Sequence, residues 1–236
     1  MWVFAIKEQA DATLDFRARW VARGDSQVPG LEFGETFAAS GDFISARFVC
    51  ALSCGIQTEL VTLDISSAYL HSPLLEQDLI VEYPTGFSIP DFSQPTCRLK
   101  RALYGLRQGA RAWSEHFSAK LTDLGFKKCI SAPTVYVRSD SEGGKTVIST
   151  HVDDCTSATK SKAPSGPNSA VRLRTDIKKY FDFKEKDPKL GANMLGITLK
   201  YDEETGTVKL SLAQKIERAV EKYGLKDAYT ARTPMA

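Results

Sequence analysis

The chain has 236 residues, of which 42% are hydrophobic and 25% charged, enough apolar material for one large domain or two small ones with a true core. Gly 16 and Pro 10 exclude a fibrous or low-complexity chain. No apolar run approaches the roughly 18 residues a membrane span needs, and the opening MWVFAIKEQADATLDF lacks a signal-peptide core, so a soluble, intracellular protein is expected. Five scattered cysteines (Cys50, Cys54, Cys97, Cys129, Cys155) contain no C-x-x-C pair, which argues against a disulfide framework or zinc knuckle. Three widely separated histidines (His71, His116, His151) leave only oxygen ligands for any metal. The formal net charge of +2 hides an asymmetry: from Pro95 to Arg138 nine Lys/Arg face two acids, a local +7. Such a stretch reads either as an anion-facing surface suited to nucleic acid or as a solvated helix face balanced elsewhere.

In chain order, the opening dozen residues show no firm pattern and read as a ragged edge. DFRARWVA (Asp15 to Ala22) alternates, with Phe16, Ala18 and Trp20 on one side and Arg17 and Arg19 on the other, which predicts a strand presenting arginines on one face. A loop follows to Phe37. Ser45–Ile56 has helical spacing ending at Gly55, and Glu59–Ile65 is a compact apolar strand in which Asp64 sits between Leu63 and Ile65. A charge in that setting is costly unless it is paired or holds a metal. Asp78–Tyr83 predicts a short strand and PTGFSIPDFSQPT a Pro-rich connection. A loop with two glycines then leads into an amphipathic helix from about Ala110 to Leu124, closed by Gly125.

Thr134–Arg138 and Thr146–Thr150 predict a hairpin around SDSEGGK, and the second strand runs into HVDDCTSAT. KSKAPSGPNSA reads as a loop joining subregions. Val171–Tyr180 predicts a helix, Met194–Leu212 a hairpin around DEETG, and Leu212–Tyr223 a final amphipathic helix. Strands and helices interleave without regular alternation, which favours an α+β fold.

Asp153 and Asp154 are consecutive, so in a continuous strand they would face opposite ways; at a hairpin tip one can face a metal while the other supports it. Parallel or antiparallel pairing of their strand with that of Asp64 would bring the carboxylates together. Clustered carboxylates without His or Cys suit Mg²⁺, which completes its shell with water and substrate phosphate oxygens. Two such ions about 4 Å apart serve in-line phosphoryl displacement, the chemistry of nucleotidyl transfer. Arg17 and Arg19 are candidates to hold a triphosphate.

Seven segments, FRARWVARGDSQ, GETFAA, VTLDISSAYLHSPL, LIVEYPTGF, CRLKRALYGLRQGARAW, HVDD and NMLGITL, occur in the order found in copia-type LTR-retrotransposon reverse transcriptases, which they resemble along nearly the whole chain. The resemblance implies an RNA-directed DNA polymerase with a right-hand fold: an antiparallel palm sheet, fingers and the start of a thumb. It places fingers at 1–45 and 72–107, palm at 46–71 and 108–210, and the thumb's start at 211–236. It makes Asp64, Asp153 and Asp154 the catalytic triad, with Asp64 and Asp153 as principal ligands of two Mg²⁺ (or Mn²⁺) and the Ile65 carbonyl as an additional one. Tyr69 matches the aromatic that packs under the sugar and excludes a 2′-hydroxyl by steric clash.

By the same resemblance Arg17 and Arg19 reach the triphosphate and Gln108 the sugar. Arg107 and Arg111 touch the template, His151 the primer-terminal pair, and Leu195 and Gly196 the primer end. The implied partners are a primed RNA or DNA template, deoxynucleoside triphosphates and other Pol or Gag parts, in a cytoplasmic virus-like particle and without a membrane. His151 departs from the Tyr usual in the family, and Gly109–Ala110 replace Ala-Pro, loosening a loop that Pro would stiffen. With no integrase, protease or RNase H pattern and one thumb helix, the competing expectation is a catalytically inactive, truncated nucleic-acid-binding remnant. An unrelated metal phosphoesterase would need a water-activating His or further carboxylates near the site, and none is found there.

Overall fold

The computed structural model describes all residues except 9–12, 56–58, 75–77, 85, 87–95, 142, 162–167, 203 and 229–236. The chain opens with a two-stranded antiparallel ribbon, β1 (Trp2–Glu8) and β2 (Leu14–Trp20). Helix α1 (Phe43–Gly55), strand β3 (Glu59–Ile65) and the short α2 (Ala68–His71) follow. A small hairpin, β4 (Ile80–Glu82) with β5 (Thr96–Arg98), precedes α3 (Gly109–Asp123). Strands β6 (Lys127–Lys128), β7 (Val135–Ser139), β8 (Lys145–His151) and β9 (Asp154–Lys160) form a meander, succeeded by α4 (Ser169–Lys178) and β10 (Phe183–Lys186). Last come β11 (Ala192–Met194), β12 (Ile197–Asp202), β13 (Thr207–Ser211) and α5 (Ala213–Lys222).

The centre is a six-stranded antiparallel sheet in the order β10-β3-β9-β8-β7-β6. β3 is buried on both faces, which explains its near-continuous apolar run. Val61, Leu63 and Ile65 face Trp113, Phe117 and Leu121 of α3 and Leu173 and Ile177 of α4. On the opposite face Leu60 meets Ala46 and Cys50 of α1 with Met194 and Leu199 of the second, three-stranded sheet β11-β12-β13. Asp64 shares the Leu60 and Thr62 face by strand alternation, but lies next to the strand's end and is only partly buried.

Several sequence expectations are corrected here. The opening residues are not ragged: β1 pairs residue by residue with β2, from Trp2 opposite Trp20 to Glu8 opposite Leu14. The ribbon's apolar side is solvent-facing, with Phe4 and Phe16 both more than 70% exposed, so no burial signal marked β1. Gly109 and Ala110 form not a loop but the first turn of α3, where Pro would also be accommodated. Four of the nine cations of the basic stretch are paired with acids. Arg98 pairs with Asp78, Arg111 with Glu35 and Glu115, Lys120 with Asp123, and Arg138 with Asp176. The Pro-rich connection and the centre of the KSKAPSGPNSA loop lie mostly outside the described residues. All five cysteines are free, and among the described residues no helix is long and apolar enough to cross a membrane.

His116 packs edge-on to Phe181, 5.8 Å between ring centres, and burial, helped by the charges of Lys120 and Arg101, lowers its pKa. A depressed folded pKa means that stability present above the unfolded value, about 6.5, is lost as pH falls through the folded one. His116→Gln is therefore expected to lose less melting temperature between pH 7.5 and 5 than the unsubstituted protein. Equal losses, read by thermal denaturation, would contradict this.

Candidate active site

The site is assembled where β3 meets the β8–β9 hairpin. Antiparallel pairing sets Asp64 directly opposite Asp154, both on one face of the sheet. His151 pairs with Asp154, leaving Val152 and Asp153 as a two-residue turn. Val152 has φ 53° while Asp153 does not enter the left-handed region. This is the pattern of a turn whose first central position ordinarily takes glycine. Holding a β-branched residue there costs about 1–3 kcal/mol and persists only where the surroundings enforce it. Both turn carbonyls are held: Trp113 Nε1–H donates to Val152 at 2.6 Å, and the Ile65 N–H donates to Asp153 at 2.8 Å. The bend thus takes Asp153 out of strand alternation and turns it into the same groove as Asp64.

That groove, about 960 Å³, is lined by Arg17 and Arg19 of β2, Asp64 and Ile65, Tyr104, Asp153, and Lys184 and Lys186 of β10. Burial raises the Asp153 pKa, and the charges of Asp154 and Asp64 add to the rise against an opposing backbone hydrogen bond. Asp153 makes no ion pair among the described residues, whereas Asp64 and Asp154 share one cation. Lys186 Nζ lies 2.9 Å from Asp64 Oδ2 and 2.6 Å from Asp154 Oδ1. Burial works against the Lys186 charge, but hydrogen bonds to Asp154 and Asp64 outweigh it and raise its pKa.

Among the described residues no three His, Cys, Asp or Glu side chains close around one point. The carboxylates of the strand junction that face the open groove are therefore two, Asp64 and Asp153, with the rest of any shell left to solvent and ligand. That fits Mg²⁺, which binds through one or two carboxylates plus phosphate oxygens, and Lys186 shows that the spot attracts positive charge.

The other expected residues divide. Arg19 lies over the Tyr104 ring at 5.7 Å and makes no ion pair among the described residues, whereas Arg17 is engaged by Asp15 at 2.7 Å. Tyr69 lines a smaller apolar cavity of about 110 Å³ behind the turn, with Trp113 and Val152, and meets Tyr104 edge-on at 4.9 Å. Gln108 is not brought to the groove. It is 1% exposed, donates to the Glu32 carbonyl and accepts from Gln27. Arg107 donates to the Gly24 carbonyl, and Arg111 is held between Glu35 and Glu115. His151 Nδ1 lies 2.8 Å from the Gly41 carbonyl, tying the 40–41 segment to the hairpin. Leu195 and Gly196 form the β11–β12 turn, both with positive φ, far along the chain from the carboxylates but on a hairpin stacked behind α1.

Three of these groove residues, Tyr104, Lys184 and Lys186, escaped the sequence reading. Tyr104 stands in the LYGL segment, and its aromatic character beside Gly105 was an available signal. Lys186 had a fainter one, the FKEK alternation that puts Lys184 and Lys186 on one face of a strand.

A family profile described as "Reverse transcriptase (RNA-dependent DNA polymerase)" matches residues 1–236. The chain belongs to that family. Its relatives are copia-type: it is 30% identical over 236 residues, all of this chain, to the Retrovirus-related Pol polyprotein from transposon TNT 1-94 of Nicotiana tabacum. It is 33% identical over 156 residues, 65% of the chain, to the corresponding polyprotein from transposon RE1 of Arabidopsis thaliana. Against the truncated transposon Ty1-A Gag-Pol polyprotein of Saccharomyces cerevisiae it is 28% identical over 207 residues, 84% of the chain. The chain spans 17%, 10% and 16% of those relatives' lengths.

Proposed function

We propose that this chain is the RNA-directed DNA polymerase core of a copia-type element, adding deoxynucleotides to a primer 3′ end. The observation that carries the reading is the convergence of Asp64 and Asp153 in a groove that Arg17 and Arg19 also line. Asp64 and Asp153, with the Ile65 carbonyl, would hold Mg²⁺, and Asp154 supports Asp64 from the paired strand. When bound, the ions supply the charge that favours attack by the primer hydroxyl and departure of pyrophosphate. Arg19 orients the triphosphate from across the groove, and Arg17 joins it on release from Asp15. The Tyr69–Tyr104 pair walls the side next to Asp153. In this assignment 1–45 and 72–107 are fingers, 46–71 and 108–210 palm, and 211–236 the start of a thumb, with Leu195 and Gly196 at the primer end.

Arg107, Gln108 and Arg111 serve by fixing the 24–35 segment against α3, so that their effect on template or nucleotide is through that loop. His151 does the same for the 40–41 segment below the primer terminus. The intact polyprotein would bring the other Pol and Gag parts and act inside the cell.

Incubation with a primed RNA template, the four deoxynucleoside triphosphates and Mg²⁺ should give primer extension. A folded sample that binds primer–template in a salt-dependent manner yet incorporates nothing would favour the inactive-remnant reading, which the Tyr-to-His change at His151 motivates. Tyr69→Ala is expected to raise ribonucleotide incorporation relative to deoxyribonucleotide by about 10- to 100-fold, through loss of the clash with the 2′-hydroxyl. Unchanged sugar discrimination in single-nucleotide incorporation kinetics would remove Tyr69 from that role.

A further inference from the structure

The Asp64–Asp154 pair poses a problem that the metal alone does not solve. Like charges directly opposite on adjacent antiparallel strands repel, and the folded protein must exist before any divalent ion arrives. The strand that borders β3 supplies the answer. In the β10–β3 register Lys186 stands opposite Thr62, one pleat from Asp64 on the same face. Its main chain is pinned by the Thr62 hydroxyl, which donates to the Lys186 carbonyl. The ammonium reaches one oxygen of each carboxylate, 2.9 Å from Asp64 and 2.6 Å from Asp154, with its side chain 29% exposed. Asp153 takes no part in an ion pair among the described residues. The neighbouring Glu185 is already held by Arg174 at 2.6 Å, so it does not draw Lys186 away.

We propose that Lys186 is a built-in counter-cation that holds the Asp64–Asp154 pair before metal binding and must yield the Asp64 oxygen when a divalent ion enters. It thereby sets the metal affinity of the site. This inference rests on the assignment of Asp64 as a metal ligand. An ammonium on Asp64 Oδ2 opposes a metal ion at coordination distance, about 2.0–2.1 Å for Mg²⁺, both by occupying one of the carboxylate's two oxygens and by repulsion between the two cations. A site occupied by its own lysine most of the time binds metal more weakly by the fraction left free. Lys186 is a positioning residue here: it acts on the carboxylates, and its removal should make metal binding tighter while making the metal-free protein less stable.

The test is Mn²⁺ binding to the full chain, followed by electron paramagnetic resonance, together with thermal denaturation in chelator and in Mn²⁺. Lys186→Met keeps the apolar stem without the charge, and Lys186→Arg keeps a cation. The expected result is Mn²⁺ affinity about tenfold tighter in Lys186→Met and within about twofold of the unsubstituted protein in Lys186→Arg. Lys186→Met should also melt lower in chelator and regain the difference in Mn²⁺, which a packing defect would not. Should Lys186→Met fail to fold in chelator, Lys186→Gln, which retains a hydrogen-bond donor, carries the affinity measurement. Affinity in the neutral variants equal to or weaker than in the unsubstituted protein overturns the proposal while leaving the metal centre standing. Mn²⁺ binding that Asp64→Asn does not alter overturns the metal centre itself, and the role of Lys186 falls with it.

Discussion

Asp153→Asn is expected to reduce primer extension by about three orders of magnitude, the kinetic equivalent of ~4 kcal/mol, without harming the fold. Asn keeps the size of Asp but removes the charge through which the groove would hold cations opposite the nucleotide. The fold is spared because ionised Asp153 is disfavoured where it stands: burial and the charges of Asp154 and Asp64 already raise its pKa. Melting temperature in chelator should accordingly be unchanged or higher in the variant. Asp64→Asn should match it in activity, while Asp123→Asn, which breaks only a surface pair with Lys120, should retain full extension. Single-turnover incorporation on the same RNA template measures all three. Near-normal extension by Asp153→Asn would remove that carboxylate from the chemistry.

Trp113→Ala should be the most destabilising single change near the site. The indole is 2% exposed, lies against Phe117 at 4.9 Å and meets Phe181 edge-on at 5.3 Å. Truncating such a side chain costs about 3–5 kcal/mol, or roughly 10 °C of melting temperature in a chain this long. Trp113→Phe separates the two jobs of the residue. It preserves most of the core contact but deletes the N–H that holds the Val152 carbonyl, at a stability cost of about 1 kcal/mol. With that tether gone, the left-handed Val152 is free to relax and Asp153 to drift. A shift on the order of 1 Å is worth up to about a hundredfold in rate. A folded Trp113→Phe protein with undiminished turnover would show that the tether does not position Asp153.

What could be read from the sequence was whatever the chain encodes locally. Strand β3 was legible to the residue because its run is buried on both faces, and the helix of α3 because its apolar positions recur with a glycine stop at Gly125. The VDD hairpin was legible because a two-residue turn between β-prone segments has few alternatives. The copia-type resemblance named the carboxylates, and the Asp64–Asp154 register shows why they meet.

What stayed hidden depends on partners distant in sequence. The groove side of β10 declares itself only when Lys186 is placed against Asp64 and Asp154. The positive excess between Pro95 and Arg138 read equally as a surface for phosphate or as a solvated face balanced elsewhere, and the balancing shows only in the tertiary structure, where Arg98, Arg111, Lys120 and Arg138, four of its nine cations, pair with acids of the same chain. Gln108 carried a motif's promise of a ligand contact, but its amide is used up by Gln27 and Glu32, a fact of tertiary packing that no local pattern encodes. Strand β1 was missed for the opposite reason: its pairing with β2 is regular, but its apolar side faces solvent, so the usual link between alternation and burial fails.

The central claim, that Asp64 and Asp153 jointly hold divalent cations in the groove, is tested most directly by anomalous diffraction from crystals grown with primer–template and soaked in Mn²⁺. The account predicts anomalous density between the Asp64 and Asp153 carboxylates, lost in Asp64→Asn crystals. Mn²⁺ bound elsewhere on the chain, with Asp64 and Asp153 free of it, would contradict the account.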